Sequence, residues 1–298
     1  MSDTTGSLRR QIGGAGDIRS MVRTMKAVAA SSIGQYEKSV LALADYYRTV
    51  ELSLGVCIRE SAAKPLRALP KSRATAGVIG AIVFGSDQGL VGQFNDVVTD
   101  YAIEKFKTLP VKPDVWAVGG RVHARLKDAG VIPKGLLAVP TSVEGIVPLV
   151  GQILLDTEMR PHQAEVAELY LFYNQRTAGA VYAPVTQRLL PLDETWRLRL
   201  AKLPWPKKAL PEIIGDKTVT FRALIRGYLF VSLFRACAES LESENANRLA
   251  AMQRADKNID DMLTILNRTF HRLRQSGIDE ELFDVVSGFE ALSTAKGN

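Results

Sequence analysis

Proline is missing from the first 64 residues of this 298-residue chain and from the last 87; all 13 prolines lie between Pro65 and Pro211. A proline inside a helix removes a donor and collides with the preceding turn, at about 3 kcal/mol. Nothing of that kind interrupts either end, so both ends are free to form long helices around a punctuated middle. Cysteine is equally scarce. Cys57 and Cys237 are too few for a disulfide framework and have no metal-ligand spacing. Both fall on expected helices among apolar neighbours and read as inert buried thiols of a reducing compartment. His123, His162 and His271 are scattered, which argues against a histidine metal site. No apolar run reaches the roughly 18 residues a membrane helix needs. The opening residues lack the apolar core of a secretory signal, and Asp3 argues against a transit peptide.

Charge of one sign is in excess but not in one block. The net charge is +6 and the pI about 9.3. Arg9, Arg10, Arg19, Arg23 and Lys26 outnumber Asp3 and Asp17 near the start. Arg248, Arg254, Lys257, Arg268, Arg272 and Arg274 outnumber Asp256, Asp260 and Asp261 near the end. Such a balance suits an acidic partner, a nucleic acid or a membrane surface.

The two proline-free ends carry hydrophobic seams. The first runs Val22, Met25, Ala29, Ile33, Tyr36, Val40, Leu43, Tyr47, Val50, Leu54, in steps of three and four with one extra four. This is a heptad-like seam with a single stutter. With Asp17 as N-cap and an end near Arg59, the helix would be about 65 Å long. Gly13, Gly14 and Gly16 make the preceding stretch a weak or frayed tip. The second seam runs from Leu224 through Tyr228, Phe234, Leu241, Met252, Ile259 and Leu266 to Leu273, and the pattern resumes from Ile278 to Leu292. Two such helices at opposite ends of a chain most simply pair antiparallel. The second is longer, so its overhang, expected from Ile259 onward, needs another protein to cover its stripe. An ordinary intramolecular bundle fits the same pattern.

Between residues 75 and 190 strand-like and helix-like runs alternate, which predicts an α/β sheet with helices on its faces. Strands are expected at 77–84, 114–118, 136–139, 168–173 and 185–190, the last two as a hairpin. Helices are expected at 95–109 (Asn95 as N-cap), 121–129 and 142–159 (Thr141 or Ser142 as cap). The fold class is therefore α/β plus a long antiparallel coiled coil: two terminal helices, 1–64 and 212–298, flanking a central Rossmann-like domain, 65–211. After the first strand comes Gly85-Ser86-Asp87-Gln88-Gly89-Leu90-Val91-Gly92-Gln93-Phe94-Asn95. A glycine-rich turn there is where a dinucleotide binds. The spacing is GxxxGxxG, however, no Lys-Ser/Thr follows, and no acidic residue ends the second strand. The glycines read better as a tight turn, and Asp87 as a turn or interface residue rather than a catalytic one.

Four segments, in order along nearly the whole chain, resemble the γ subunit of F-type ATP synthases. Met25-Lys26-Ala27-Val28-Ala29-Ala30-Ser31 resembles that family's M-K-M-V-A-A-S. Ser86 to Asn95 resembles S-D-R-G-L-C-G-G-F-N. Glu244-Asn245-Ala246-Asn247-Arg248-Leu249-Ala250-Ala251-Met252 resembles E-x-x-A-R-M-x-A-M. Arg274-Gln275-Ser276-Gly277-Ile278-Asp279-Glu280-Glu281-Leu282 resembles R-Q-x-x-I-T-x-E-I, and Ser287-Gly288 continues it. The departures are Ser32 for Lys, Gln88 for Arg, Gln93 for Gly, His271 for Asn and Asp279 for Thr, which suggest a divergent branch.

The resemblance implies a rotor shaft without bond chemistry and without a cofactor. It would couple ATP synthesis or hydrolysis in a surrounding hexamer of α and β subunits to proton or sodium-ion flow. Its foot would meet an ε-type subunit and the membrane c-ring, on the cytoplasmic face of a prokaryotic plasma membrane. No nucleic acid or small-molecule substrate is implied. The resemblance places Arg274, Gln275, Lys26, Met25 and Arg248 at the hexamer. It places Ser86, Asp87, Gly89, Gly92 and Asn95 in a foot or loop contact. Two other readings of the residues are a helical adaptor outside any ATPase and a nucleotide-binding enzyme built on the middle domain.

Overall fold

The computed structural model describes residues 4–61, 78–158, 166–177, 180–190, 194–206 and 211–295. The chain begins with α1 (Thr5–Ser61) and ends with α6 (Lys217–Ala295). Between them lie β1 (Val78–Phe84), α2 (Phe94–Thr108), β2 (Asp114–Val118), α3 (Gly120–Asp128), β3 (Gly135–Leu137), α4 (Ile146–Glu158), β4 (Val166–Thr177), β5 (Ala180–Leu190) and α5 (Glu194–Ala201). At 1.5 Å per residue α1 is about 85 Å long and α6 about 120 Å. Gly77, the first residue of the expected first strand, lies outside the described residues, as does Met159, the last of the expected 142–159 helix. Two units divide the chain, residues 1–28 with 249–298, and residues 29–248.

In the larger unit five strands form one sheet in the order β3-β2-β1-β4-β5. β1, β2, β3 and β4 run parallel, and β5 returns antiparallel to β4 as the expected hairpin. The strands are apolar on both faces because both faces are covered. Ala81, Val83, Val115, Ala117 and Phe172 point to a small core with α2 and α3. Their neighbours Ile82, Phe84, Trp116, Val118, Leu169 and Leu171 point to the large core, with α4 and the arms. The alternation is the period of two that a strand imposes. In that core Tyr47 of α1 stacks near Tyr228 of α6, ring centroids 5.7 Å apart, and Lys217 pairs with Glu60 at 2.6 Å. These pairs set the two helices antiparallel.

In the smaller unit the same direction holds. Arg23 pairs with Asp256 at 3.2 Å and Val22 packs with Met252 and Ile259. Buried positions of α1 recur every seven residues at Leu8, Ala15, Val22, Ala29, Tyr36, Val50 and Cys57, with Leu43 half-buried at the remaining place, and Leu54, Val56 and Ile58 add buried positions off that register near the end of the helix. The extra step at Ile33 falls on a half-buried flank.

Four local expectations are corrected. Asp17 is not an N-cap, and the Gly13–Gly16 stretch is not frayed: α1 starts at Thr5, and Leu8 and Ala15 extend the buried seam past the glycines. The overhang consequently starts later than Ile259. Eighteen residues separate Arg23 from Thr5, and eighteen beyond Asp256 is Arg274, so α6 outruns α1 only from about Gln275. Asn95 does not cap α2; Gln93 holds that position without a side-chain bond. Finally, α4 begins at Ile146 rather than Ser142, which puts Pro148 in the first turn, where its missing N–H breaks no helical bond. The short helix α5 was not anticipated.

Candidate functional site

The Ser86–Asn95 loop is tied down by its own side chains. Ser86 is fully buried; its N–H donates to Asn95 Oδ1 at 2.9 Å, and Asn95 Nδ2 donates back to Ser86 Oγ at 2.9 Å. Asp87 Oδ1 accepts the Gly120 N–H at 2.7 Å, and Oδ2 accepts the Val139 N–H at 2.8 Å. Its carboxylate thus sits at the start of α3, where the helix dipole favours an anion. Asp87 ties three strand ends together, and both its oxygens are engaged. Asn174 Nδ2 donates to the Phe94 carbonyl at 2.9 Å from beneath. Gly92 is left-handed at φ +56°, and a Cβ there would meet Asn247 at 3.4 Å. Gly89 lies beside the Arg121 guanidinium, 3.4 Å from where its own Cβ would be. Leu90 is also left-handed, at φ 62°, yet carries an exposed apolar side chain at the loop's tip.

The loop docks on α6. Asn247 Nδ2 donates to the Val91 carbonyl. The next residue, Arg248, reaches back one turn, its Nη2 binding Glu244 Oε1 at 2.6 Å, with both side chains largely covered. Burial raises the Glu244 carboxyl above its ordinary range; Arg248 pulls it down and the Asp87 charge adds to the rise. Tyr36 of α1 borders this cluster, pushed up to about 12 by burial. Two segments that are about 150 residues apart in sequence, each carrying part of the family resemblance, therefore form one contact. Arg248 is turned inward to Glu244, which leaves it half-buried at this junction.

Met25 and Lys26 lie elsewhere, on the smaller unit, both half-buried. Lys26 Nζ donates to Asp256 Oδ2 at 3.0 Å, and Arg23 Nε to Oδ1 at 3.2 Å. Arg19 approaches the same carboxylate at 3.7 Å and pairs with Asp260. The Lys26 ammonium, with Arg23 beside it, holds the Asp256 carboxyl below its usual range. Met25 packs on the Val22–Met252–Ile259 cluster. Arg274 and Gln275 are exposed, and among the described residues neither pairs with another side chain. Beyond them Ile278, Leu282, Phe283, Val285 and Val286 are exposed on α6, Phe283 at 74%. Cys57 and Cys237 are buried thiols, their pKa raised by that burial, which fits unreactive packing groups. No helix among the described residues is long and apolar enough to cross a membrane, and no group of three His, Cys, Asp or Glu among them is placed to hold a metal.

Sequence reasoning missed Asn247, Asn174 and Asp256 as organising residues. Asn247 stands inside a quoted motif, so a signal existed; Asp256 looked like one acid in a charged run.

Two long terminal helices, antiparallel to each other within each unit, and a central Rossmann-like sheet between them in sequence define a class of α/β proteins with helical arms. The chain belongs to the ATP synthase family, which it matches across residues 4–292. It is 28% identical over 305 residues to the ATP synthase gamma chain of Syntrophus aciditrophicus, covering 97% of this chain and 98% of that one. The gamma chain of Nitrosospira multiformis is 27% identical over 301 residues, with 96% and 98% covered. In fold the chain is similar to a rotor chain of the Euglena gracilis mitochondrial ATP synthase, at TM-score 0.60 and 15% identity over 92% of this chain and 98% of that one. A central-stalk/c-ring structure of the Tetrahymena thermophila enzyme gives TM-score 0.54 at 19% identity, covering 79% and 99%.

Proposed function

We propose that this chain is the γ subunit of an F-type ATP synthase, the central stalk that turns inside a hexamer of α and β subunits and stands on the membrane c-ring. The observation that carries the reading is α6, an uninterrupted helix that runs past the start of α1 and keeps its apolar residues bare from Ile278 to Val286. Apolar surface of that kind is stabilised by a surrounding partner. The full-length match to gamma chains supplies the rest.

The chain itself performs no bond chemistry. It couples ATP turnover on β to proton or sodium-ion flow, since different faces of an asymmetric shaft stabilise different β conformations. The sheet domain, roughly 65–211, forms the foot with an ε-type subunit. The complex lies peripheral to the membrane, on the cytoplasmic face in a prokaryote. Arg274 and Gln275 are the hexamer contacts this reading favours, because they are exposed, and without a side-chain partner among the described residues, where α6 outruns α1. Met25, Lys26 and Arg248 contribute through the surfaces beside them, their own side chains being engaged within the chain. At the loop, Ser86, Asp87, Gly92 and Asn95 hold the shape, and Gly89 and Leu90 form the part that a partner can touch.

The test is Arg274→Ala in the assembled complex. Arg can fork two charge-assisted bonds to a carboxylate, about 1.5–3 kcal/mol each. Assembly and stability should be unchanged, while ATP hydrolysis falls or ion pumping per ATP drops; Arg274→Lys should rescue only part. Unchanged hydrolysis and pumping in the Ala variant would overturn the Arg274 assignment.

A further inference from the structure

The helix pair formed by residues 5–28 and 249–287 has two unlike flanks. Arg19, Arg23 and Lys26, spaced four and three, lie to one side of the Ala15–Val22 seam and converge on Asp256 and Asp260. Ile18, Met21 and Val28 lie on the other side and are exposed, as are Met262 and Ile265 of α6. At 3.6 residues per turn these two α6 residues fall on the flank away from Asp256 and Asp260.

This stretch of α1 is poorly equipped to hold itself. Gly6, Gly13, Gly14 and Gly16 stand in it, each costing a helix about 1 kcal/mol relative to Ala, and a central buried position is only Ala15. Yet the helix is complete from Thr5. Asp256 is 14% exposed while the three cations around it are 30–53% exposed, so the carboxylate is the covered hub and the cations its spokes.

We propose that Asp256 is a positioning residue: by gathering Arg19, Arg23 and Lys26 on one flank it docks the glycine-rich first turns of α1 on α6 and leaves Ile18, Met21 and Val28 facing outward. Lys26 is then a tie within the shaft, and the outward apolar flank is what the shaft offers at this height. That consequence for partners rests on the γ-subunit reading; the docking does not.

The experiment is hydrogen exchange on the isolated full-length chain, with spin labels at Gln11 and Arg268 giving a distance across the pair. In the wild type residues 5–22 should be protected and the distance single. Asp256→Ala should speed exchange across 5–22 by about tenfold, the summed effect of three modest ion pairs, and broaden the distance, with residues 29–61 unchanged. Asp256→Asn should behave the same, and Asp256→Glu should restore both readouts. Should the Ala variant open throughout, salt titration of the wild type decides, because screening should loosen 5–22 alone. Unchanged exchange in Asp256→Ala and Asp256→Asn, no salt effect on 5–22, or failure of Glu to restore protection would overturn the proposal. The γ-subunit reading is tested separately, by ATPase and pumping of the assembled complex, so the two can fail independently.

Discussion

The same two helices are held together differently in the two units. In residues 29–248 α1 and α6 meet through large side chains: Tyr36, Val50, Leu54, Tyr228, Leu233 and Phe234 join a core shared with the sheet. In residues 5–28 and 249–275 the seam is only Val22, Met252 and Ile259, with Met25, Ala251, Ala255 and Leu263 half-buried beside it, and ion pairs on Asp256 and Asp260 flank it. The seven-residue register of α1 is common to both. Register says where a helix is buried, but the size of the residues at that register says how firmly. A region held by area resists dissection one residue at a time; a region held by charge depends on a few atoms and on salt.

The largest expected difference is in the seams. Leu54 has no exposed surface, and Leu54→Ala should lose about 4 kcal/mol, whereas Ile259→Ala should lose nearer to 2 kcal/mol because Met25 and Ala255 beside it can close in. Chemical denaturation of each variant measures both; equal losses would erase the contrast.

Charge should separate the units next, and in opposite directions with pH. Arg248→Ala leaves Glu244 buried without its partner, at about 3 kcal/mol near neutral pH. Because the Glu244 carboxyl is raised above its ordinary 4.5, the folded chain gains stability as pH falls toward that value, and the Arg248→Ala deficit should shrink. Asp256 is shifted the other way: its contribution is whole above its ordinary 3.8 and is lost only as pH falls below that, through the lowered folded value. Denaturation midpoints of wild type and Arg248→Ala at pH 7 and pH 5 check the first statement. A deficit that stays constant or grows on acidification would refute it.

Backbone substitutions give the smaller effects, again of opposite sign. A Cβ on Gly85 would stand 2.4 Å from Val122 Cβ, so Gly85→Ala should destabilise by about 2 kcal/mol as the sheet and α3 are forced apart. At Gly14 nothing lies within 4 Å of an added Cβ, and Gly14→Ala should stabilise by about 1 kcal/mol through helix propensity alone. Thermal unfolding would show the first variant lower and the second higher than wild type.

Much of the fold was legible because it rests on local periodicity. Absent prolines and the three-and-four spacing fixed two long antiparallel helices, and the apolar runs at 78–84 and 114–118 announced buried strands. Boundaries went wrong where a distant group intervened. Asn95 has the chemistry of an N-cap, but a buried Ser86 nine residues back claims its amide. Asp17 likewise had the chemistry of a cap, but α1 continues past it to Thr5.

By itself the sequence determined that the two proline-free ends are long helices, which face of each is apolar, and, through four ordered motifs, the family. These properties depend on spacing along one chain, and spacing is written in the sequence. Only the tertiary structure decided that the Ser86–Asn95 loop closes on Asn247, that Arg248 turns inward to Glu244, and that Lys26 is taken by Asp256 while Arg274 has no side-chain partner among the described residues. Those outcomes are choices among competing partners of equal local chemistry. They are settled by which groups the packed helices bring within about 3 Å of one another, the range over which a hydrogen bond forms.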